Sequence, residues 1–185
     1  MYADSLTVAE ARARYFADNG FTEATYTDPW VKLKVGPVPF AFPNTTARKA
    51  AVKLHDLHHV ATDYRTTWTG EGEIAAWEIG AGCGRYGAAW LLNLSAMAIG
   101  LAIAPRAVFR AFVRGRHSKS LYDRAFADDL LALRVGELRA LLRLDQPAAP
   151  ASAADRLAFA VAVAGALATV TGMVMPVALV IAWLA

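Results

Sequence analysis

The last part of the chain carries no charged residue, and this limits what it can fold into. Arg156 is the last charge, and residues 157–185 contain none. As a helix this stretch would measure roughly 43 Å at about 1.5 Å per residue, against a hydrocarbon core of about 30 Å. So small a protein can hardly bury it. The sequence therefore predicts a C-terminal transmembrane helix over residues 156–185, kinked at Gly172 or Pro176, after a small-residue linker at 145–155.

Composition and charge agree with membrane contact. The chain is 56% hydrophobic and 19% charged, which is more apolar than an ordinary soluble domain. Its net charge of +3 is too small to indicate a nucleic-acid partner. Residues 86–156 carry ten Lys and Arg against six Asp and Glu, which suits either anionic lipid or a solvated helix face. Because cations before a transmembrane helix favour the cytoplasm, we expect a single anchor with the domain on the cytoplasmic side.

Residues 1–144 predict an all-α fold, a compact helical domain with one short extended or hairpin segment. The pattern Thr7-x-x-Glu10 is typical of a capping box, and the helix it opens is expected to end near Gly20. Alternating residues over Trp30–Val35, among four prolines, predict a short strand or hairpin, or an extended arm packed on helices. A long amphipathic helix is expected over residues 121–144.

Residues 88–104 leave two interpretations open. They are apolar apart from Asn93 and Ser95, and about 17 residues is the lower limit for crossing a bilayer. The same composition suits a buried core helix, which we favour. The single Cys83 excludes an intramolecular disulfide.

The run His55-Asp56-Leu57-His58-His59, followed after eleven intervening residues by Glu71, predicts a metal site. At about 100° per residue, His55, Asp56, His59 and Asp63 fall within an arc of roughly 100° on one helix. Such residues are often only surface or capping groups. Here apolar neighbours suggest burial, and buried imidazoles cost free energy unless they are paired or bind a metal. We therefore expect His55, Asp56, His59 and Glu71 to hold one divalent ion.

Other polar residues near this run receive supporting roles. Glu71 is expected in the first turn of the next helix, and Glu78, two turns later, would support the metal ligands from behind. Asp63 would either help in the same way or be a solvated carboxylate at the end of its helix. Asp56 would either bind the metal or orient an imidazole. His58 points about 60° away from the arc and is interpreted as structural.

This spacing resembles the signature of the Coq-four type family of ubiquinone-biosynthesis proteins, His-Asp-x-x-His, eleven residues, then Glu. His55, Asp56, His59 and Glu71 fill its four positions without a gap. A weaker likeness of pattern extends over residues 45–144. Two features depart from the family: Asp63 stands where a glycine is expected, and the usual member lacks the C-terminal tail.

The resemblance implies an enzyme that removes the ring carboxylate of a polyprenylated aromatic acid by oxidation and hydroxylates the same carbon. Asp56 and Glu71 would be its catalytic carboxylates, and Arg65 and Arg85 are candidates for holding the substrate carboxylate. The donor set suits Zn, Fe(II) or Mn, and redox chemistry favours iron. The expected partners are the lipid bilayer, a polyprenylated quinone precursor and other quinone-biosynthesis proteins.

Two other functions stay open. The protein could be a non-catalytic scaffold that binds lipid within a quinone-biosynthesis complex, with the metal stabilising its fold. It could also be a metal-dependent lipid hydrolase, in which Glu71 or Glu73 would act as the base for a metal-bound water.

Overall fold

The computed structural model describes residues 1–35, 38–147 and 149–184. Apart from one two-stranded sheet, the regular structure in these ranges is helical, which confirms the predicted fold class. Pro37, Ala148 and Ala185, which belong to the predicted hairpin, linker and anchor, lie outside the described residues. In chain order the elements are α1 (Val8–Asn19), α2 (Ala24–Thr27), β1 (Trp30–Val35), β2 (Val38–Pro43), α3 (Thr46–Thr62), α4 (Trp68–Ala81), α5 (Gly87–Ile103), α6 (Pro105–Arg116), α7 (Asp128–Ala132), α8 (Val135–Leu141) and α9 (Ala153–Leu184).

The N-terminal elements form as the local sequence predicts. The Thr7 hydroxyl accepts from the Glu10 N–H at 3.2 Å, and the Glu10 carboxylate accepts from the Thr7 N–H at 2.8 Å, which completes the capping box. Helix α1 ends at Gly20, whose φ of 67° is left-handed and favours glycine. Strands β1 and β2 pair antiparallel, with Trp30 opposite Pro43, so the predicted hairpin is confirmed.

Helix α4 lies at the centre of the domain and packs closely on α5 and α6. A Cβ on Gly72 would stand 2.6 Å from the Cα of Gly100 on α5. A Cβ on Gly115 of α6 would press into the Trp77 carbonyl, and Gly80 meets the Phe112 carbonyl in the same way. The glycines therefore let the three backbones approach, and Trp77 is fully buried between them.

The prediction of one long helix over residues 121–144 is wrong. The segment forms two short helices, α7 and α8, separated by Leu133 in an extended conformation (φ −59°, ψ 154°). The Leu133 carbonyl accepts from the Val8 N–H at 2.8 Å, and the Val135 N–H donates to the Leu6 carbonyl at 2.9 Å. These bonds to the N-terminal segment replace helical hydrogen bonds and interrupt the helix.

Helix α5 is a core helix on one side only. Ala89, Asn93, Met97 and Gly100 face the interior, whereas the apolar side chains of Leu91, Ile99 and Ile103 on its other side are exposed.

Helix α9 begins at Ala153, three residues before the predicted anchor, because Ser152 and Asp155 cap it through reciprocal hydrogen bonds of 3.0 and 3.1 Å. Within the described residues, Ala153–Pro176 is the one helical segment long and apolar enough to cross a membrane. The start of α9 packs on α6, where the Phe159 ring lies 4.9 Å from that of Phe109.

Candidate metal centre

Two neighbouring helices bring the candidate ligands together. The Thr45 hydroxyl caps α3 by accepting from the Arg48 N–H at 3.2 Å. The helix then carries His55 and His59 one turn apart. The Thr67 hydroxyl caps α4 in the same way, accepting from Gly70 at 3.2 Å, and this places Glu71 in the first turn, as predicted.

His55, His59 and Glu71 form a group that could hold a metal ion, since one ligand atom from each lies within 4.8 Å of the others. The two Nε2 atoms are 3.1 Å apart. Oε2 of Glu71 lies 3.7 Å from Nε2 of His55, and Oε1 lies 3.5 Å from Nε2 of His59. Burial raises the pKa of Glu71, but the two histidines, when they are protonated, outweigh burial and lower the pKa to about 2.

The other nitrogen of each imidazole has a partner that can only accept. Nδ1 of His55 lies 2.9 Å from the Glu78 carboxylate, and Nδ1 of His59 lies 2.8 Å from the Tyr64 carbonyl. Both Nδ1 atoms must therefore donate, and in a neutral imidazole the lone pair is then on Nε2. Two lone pairs facing each other at 3.1 Å repel, so the arrangement requires a cation between them, either a metal ion or a proton. Support of each Nδ1–H by an acceptor is the usual arrangement behind metal-bound histidines.

Glu78 is fully buried, and its carboxylate has four hydrogen-bond partners. Oε1 faces Nδ1 of His55 and, at 2.6 Å, Nδ1 of His58. Oε2 accepts from the Tyr122 hydroxyl at 2.9 Å and from the Asn93 amide. Burial alone would raise the pKa of Glu78, but the histidines outweigh it and lower the pKa, so the carboxylate is ionised. Its position behind His55 is the one predicted from the helix face.

His58 has both ring nitrogens occupied within the core. Its Nε2 accepts from the Leu121 N–H at 2.8 Å, so its Nδ1 carries the proton and donates to Glu78. Burial lowers the pKa of His58, which agrees with a neutral ring. The interpretation of His58 as structural fits this arrangement.

Asp56 lies outside the group, contrary to the prediction that it is a ligand and a catalytic carboxylate. Its Oδ2 accepts from the Tyr26 hydroxyl at 2.6 Å, and its Oδ1 faces the Tyr15 hydroxyl at 3.5 Å. Asp56 follows His55 directly, so its side chain is rotated by about 100° around the helix axis and points toward α1 and α2. Burial raises the pKa of Asp56. The Tyr15 ring also stacks on His59, with centroids 5.4 Å apart, so this acid supports the site indirectly.

Asp63 lies at the end of α3 and not beside the ligands. It is the C-cap, with a left-handed φ of 62°. Its Oδ2 accepts from Arg139 at 2.8 Å, and its Oδ1 accepts from the Tyr2 N–H at 3.3 Å. The predicted supporting role is therefore wrong, and the alternative of a carboxylate at the helix end is correct, although the side chain is paired and not simply solvated.

The remaining predicted residues do not belong to the group of three ligands. Arg65 and Arg85 are exposed, and neither side chain forms an ion pair within the described parts of the chain. Glu73 interacts with the charges of Arg110 and Arg114 on α6. The sequence interpretation missed Tyr15, Tyr26, Asn93 and Tyr122, which hold the buried carboxylates.

No family model, no curated protein and no solved structure matches this chain.

Proposed function

We propose that this chain is a membrane-associated, metal-dependent enzyme of ubiquinone or related prenyl-quinone biosynthesis. It would carry out the oxidative decarboxylation and hydroxylation of a polyprenylated aromatic acid. The observation that carries the metal part of this proposal is the pair of Nε2 atoms facing each other at 3.1 Å beside Glu71.

The donor set narrows the chemistry. Two histidines and one carboxylate are the protein ligands of non-haem Fe(II) oxygenases and, with zinc, of many hydrolases. Removal of Asp56 from the ligand set leaves this three-residue combination. A bound Fe(II) would supply redox chemistry with oxygen. The chain's own residues would hold it through Nε2 of His55 and His59 and through Glu71, while Glu78 and the Tyr64 carbonyl fix the imidazole orientations.

The proposed reaction replaces a ring carboxylic acid group, counted in its protonated form, with a hydroxyl group. For each turnover, one O2, two protons and two electrons from an external reductant are consumed, and CO2 and one water are released. Glu71 is ionised and half-buried beside the two imidazoles, so it remains an anionic ligand at neutral pH.

A lipid substrate is supported by helix α9. Ala153–Pro176 has the length and composition of a membrane span, and a polyprenylated acid partitions into the bilayer. An enzyme held at the bilayer meets such a substrate at a raised effective concentration. We propose that the domain lies on the cytoplasmic side, where the arginines before α9 favour it.

Two other functions would use the same site differently. In a scaffold the metal would only stabilise the contact between α3 and α4. In a lipid hydrolase a carboxylate would serve as base for a metal-bound water, but Glu71 already contacts both histidines, and Glu73 interacts with Arg110 and Arg114.

The test is turnover of a prenylated hydroxybenzoic acid, labelled at the carboxyl carbon, by full-length protein reconstituted with Fe(II), reductant and oxygen. We expect labelled CO2 to be released by the wild type and by Glu73→Gln, and to be lost with Glu71→Gln. The Glu73→Gln control changes the same kind of residue on the same helix, two positions on. Equal release from all three proteins, or no release from the iron-loaded wild type, would contradict the proposal. Release of labelled CO2 without oxygen would indicate a non-oxidative decarboxylation and would contradict the proposed reaction.

A further inference from the structure

The outer side of α5 is an exposed apolar surface with no charge on it. The stretch from Gly87 to Ala104 contains no Asp, Glu, Lys or Arg. Leu91, Ile99 and Ile103 are 49%, 44% and 52% exposed. Contiguous exposed apolar surface of this kind marks an interaction site in a folded protein.

This surface continues onto α9, because the two helices pack side by side. A Cβ on Gly165 would lie 3.6 Å from a methyl group of Leu94, and the Ser95 hydroxyl lies 3.6 Å from the sulfur of Met173. The outer side of α9 is apolar too, with Val161 67% and Leu167 58% exposed.

The start of α9 is fixed to the domain and is not a free tether. Asp155 pairs with Arg116 at 3.2 Å, and the Phe159 ring packs against Phe109 and Phe112 with centroids 4.9 and 5.3 Å away. Lipid that surrounds this part of α9 therefore reaches α5 as well.

Cations lie at one end of the paired helices. Arg106 is exposed and follows α5 by three residues. Arg156, at the start of α9, places its guanidinium over the Phe109 ring, 5.7 Å from the ring centroid. Phe109 lies one helical turn after Arg106. Arginines at the edge of an apolar surface are placed to meet anionic headgroups while the apolar side chains meet acyl chains.

We propose that the outer faces of α5 and α9 form one membrane-binding surface, which we call the α5–α9 face, and that it enters the acyl-chain region of an anionic bilayer. The domain then lies against the membrane through α5 and does not hang from α9 alone. A lipid occupant follows from continuity with α9, the described helix able to cross a bilayer. This inference goes beyond the proposed function, because it depends on no property of the metal site.

The test uses single cysteines carrying an environment-sensitive fluorophore in the full-length protein. Leu91→Cys and Ile99→Cys report on α5, and Ala127→Cys, at an exposed position before α7, is the control. The native Cys83 is fully buried and its thiol pKa is raised to about 12 by burial, so it stays in place. Wild-type protein treated with the same fluorophore measures the background signal from Cys83.

Each labelled protein is reconstituted in vesicles of phosphatidylcholine and phosphatidylglycerol. It is then quenched either by nitroxide on the lipid chains or by iodide in the water. We expect several-fold stronger nitroxide quenching at positions 91 and 99 than at 127, and the reverse order with iodide. Equal behaviour at all three positions would mean that α5 faces water and would overturn the proposal. Protection of 91 and 99 from both quenchers would indicate a protein partner or a second copy and would also overturn it. Circular dichroism checks that each variant is folded.

Discussion

Nε2 of His55 and Nε2 of His59 face each other at 3.1 Å across one turn of α3. Each ring is held in this orientation by an acceptor on its far side, the Glu78 carboxylate for His55 and the Tyr64 carbonyl for His59. A positive charge between the two Nε2 atoms would remove the repulsion of their lone pairs. The Glu71 carboxylate lies beside both atoms and would balance that charge. The local sequence thus prepares a site for one cation, and the surrounding core fixes its geometry.

Replacing Glu78 with Gln is expected to weaken metal binding and the fold together. Glutamine has one oxygen where the carboxylate serves four donors, so at least one buried donor is left without an acceptor, at a cost of about 1–3 kcal/mol. Loss of support behind a metal-bound histidine typically lowers metal affinity about 10–100-fold. Denaturant unfolding and competition with a metal chelator measure the two effects.

Glu73→Gln is the matched control for this change, since Glu73 lies on the same helix but interacts with Arg110 and Arg114. It is expected to leave metal affinity unchanged. A Glu78→Gln protein with wild-type affinity would contradict the role given to Glu78.

Two variants of Asp56 test whether this residue binds the metal or only belongs to the core. Asp56→Asn keeps an oxygen for the Tyr26 hydroxyl and is expected to bind metal with wild-type stoichiometry. Asp56→Ala leaves that hydroxyl buried without its acceptor and is expected to lose about 1–3 kcal/mol of unfolding free energy. Metal content and thermal unfolding measure this. A folded Asp56→Asn protein without metal would show that Asp56 is a ligand after all.

The contact of α4 with α6 is expected to tolerate no side chain at Gly115. A Cβ there would meet the Trp77 carbonyl, so Gly115→Ala must push the two helices apart, and overpacking of this kind costs about 1–3 kcal/mol. Gly87→Ala, where a Cβ has nothing within 4 Å, is the control. The difference in unfolding free energy between the two variants tests the packing, and equal stability would contradict it.

The Cys83 thiol is expected to be unreactive in the folded protein. It is fully buried, and burial and the Glu78 charge raise its pKa to about 12, so almost no thiolate exists at neutral pH. A thiol reagent should react with the denatured chain and hardly at all with the native one. Rapid labelling of the native protein would mean that the core around Glu78 opens readily.

The ligands that could be predicted are those set by local geometry. His55 and His59 are one helical turn apart, and a cap at Thr67 places Glu71 at the start of the next helix. Both features are readable from neighbouring residues. The prediction of Asp56 as a ligand is wrong because residue positions on one helix do not show which other elements pack against that helix. Here Tyr15 and Tyr26, from segments far away in sequence, contact the Asp56 carboxylate.

In the fold too, features set by neighbouring residues are predictable from the sequence, and features set by distant contacts are not. The capping box at Thr7 and the hairpin at Trp30 follow from adjacent residues and are confirmed. The break at Leu133 depends on pairing with the segment around Val8, more than a hundred residues earlier, and no periodicity within 121–144 indicates it. Helix α5 is apolar on both sides, although only one side meets the core and the other is exposed. A hydropathy pattern cannot distinguish this arrangement from full burial.

We propose that His55, His59 and Glu71 hold one divalent ion, and the metal content of full-length protein purified without chelators tests this. His55→Ala and Glu71→Gln are the site variants. His117→Ala is the control, since His117 is exposed and pairs with Asp155. We predict one metal ion per chain in the wild type and the control, and its loss in both site variants while circular dichroism shows them folded. Folded site variants that retain the wild-type metal content would contradict the claim.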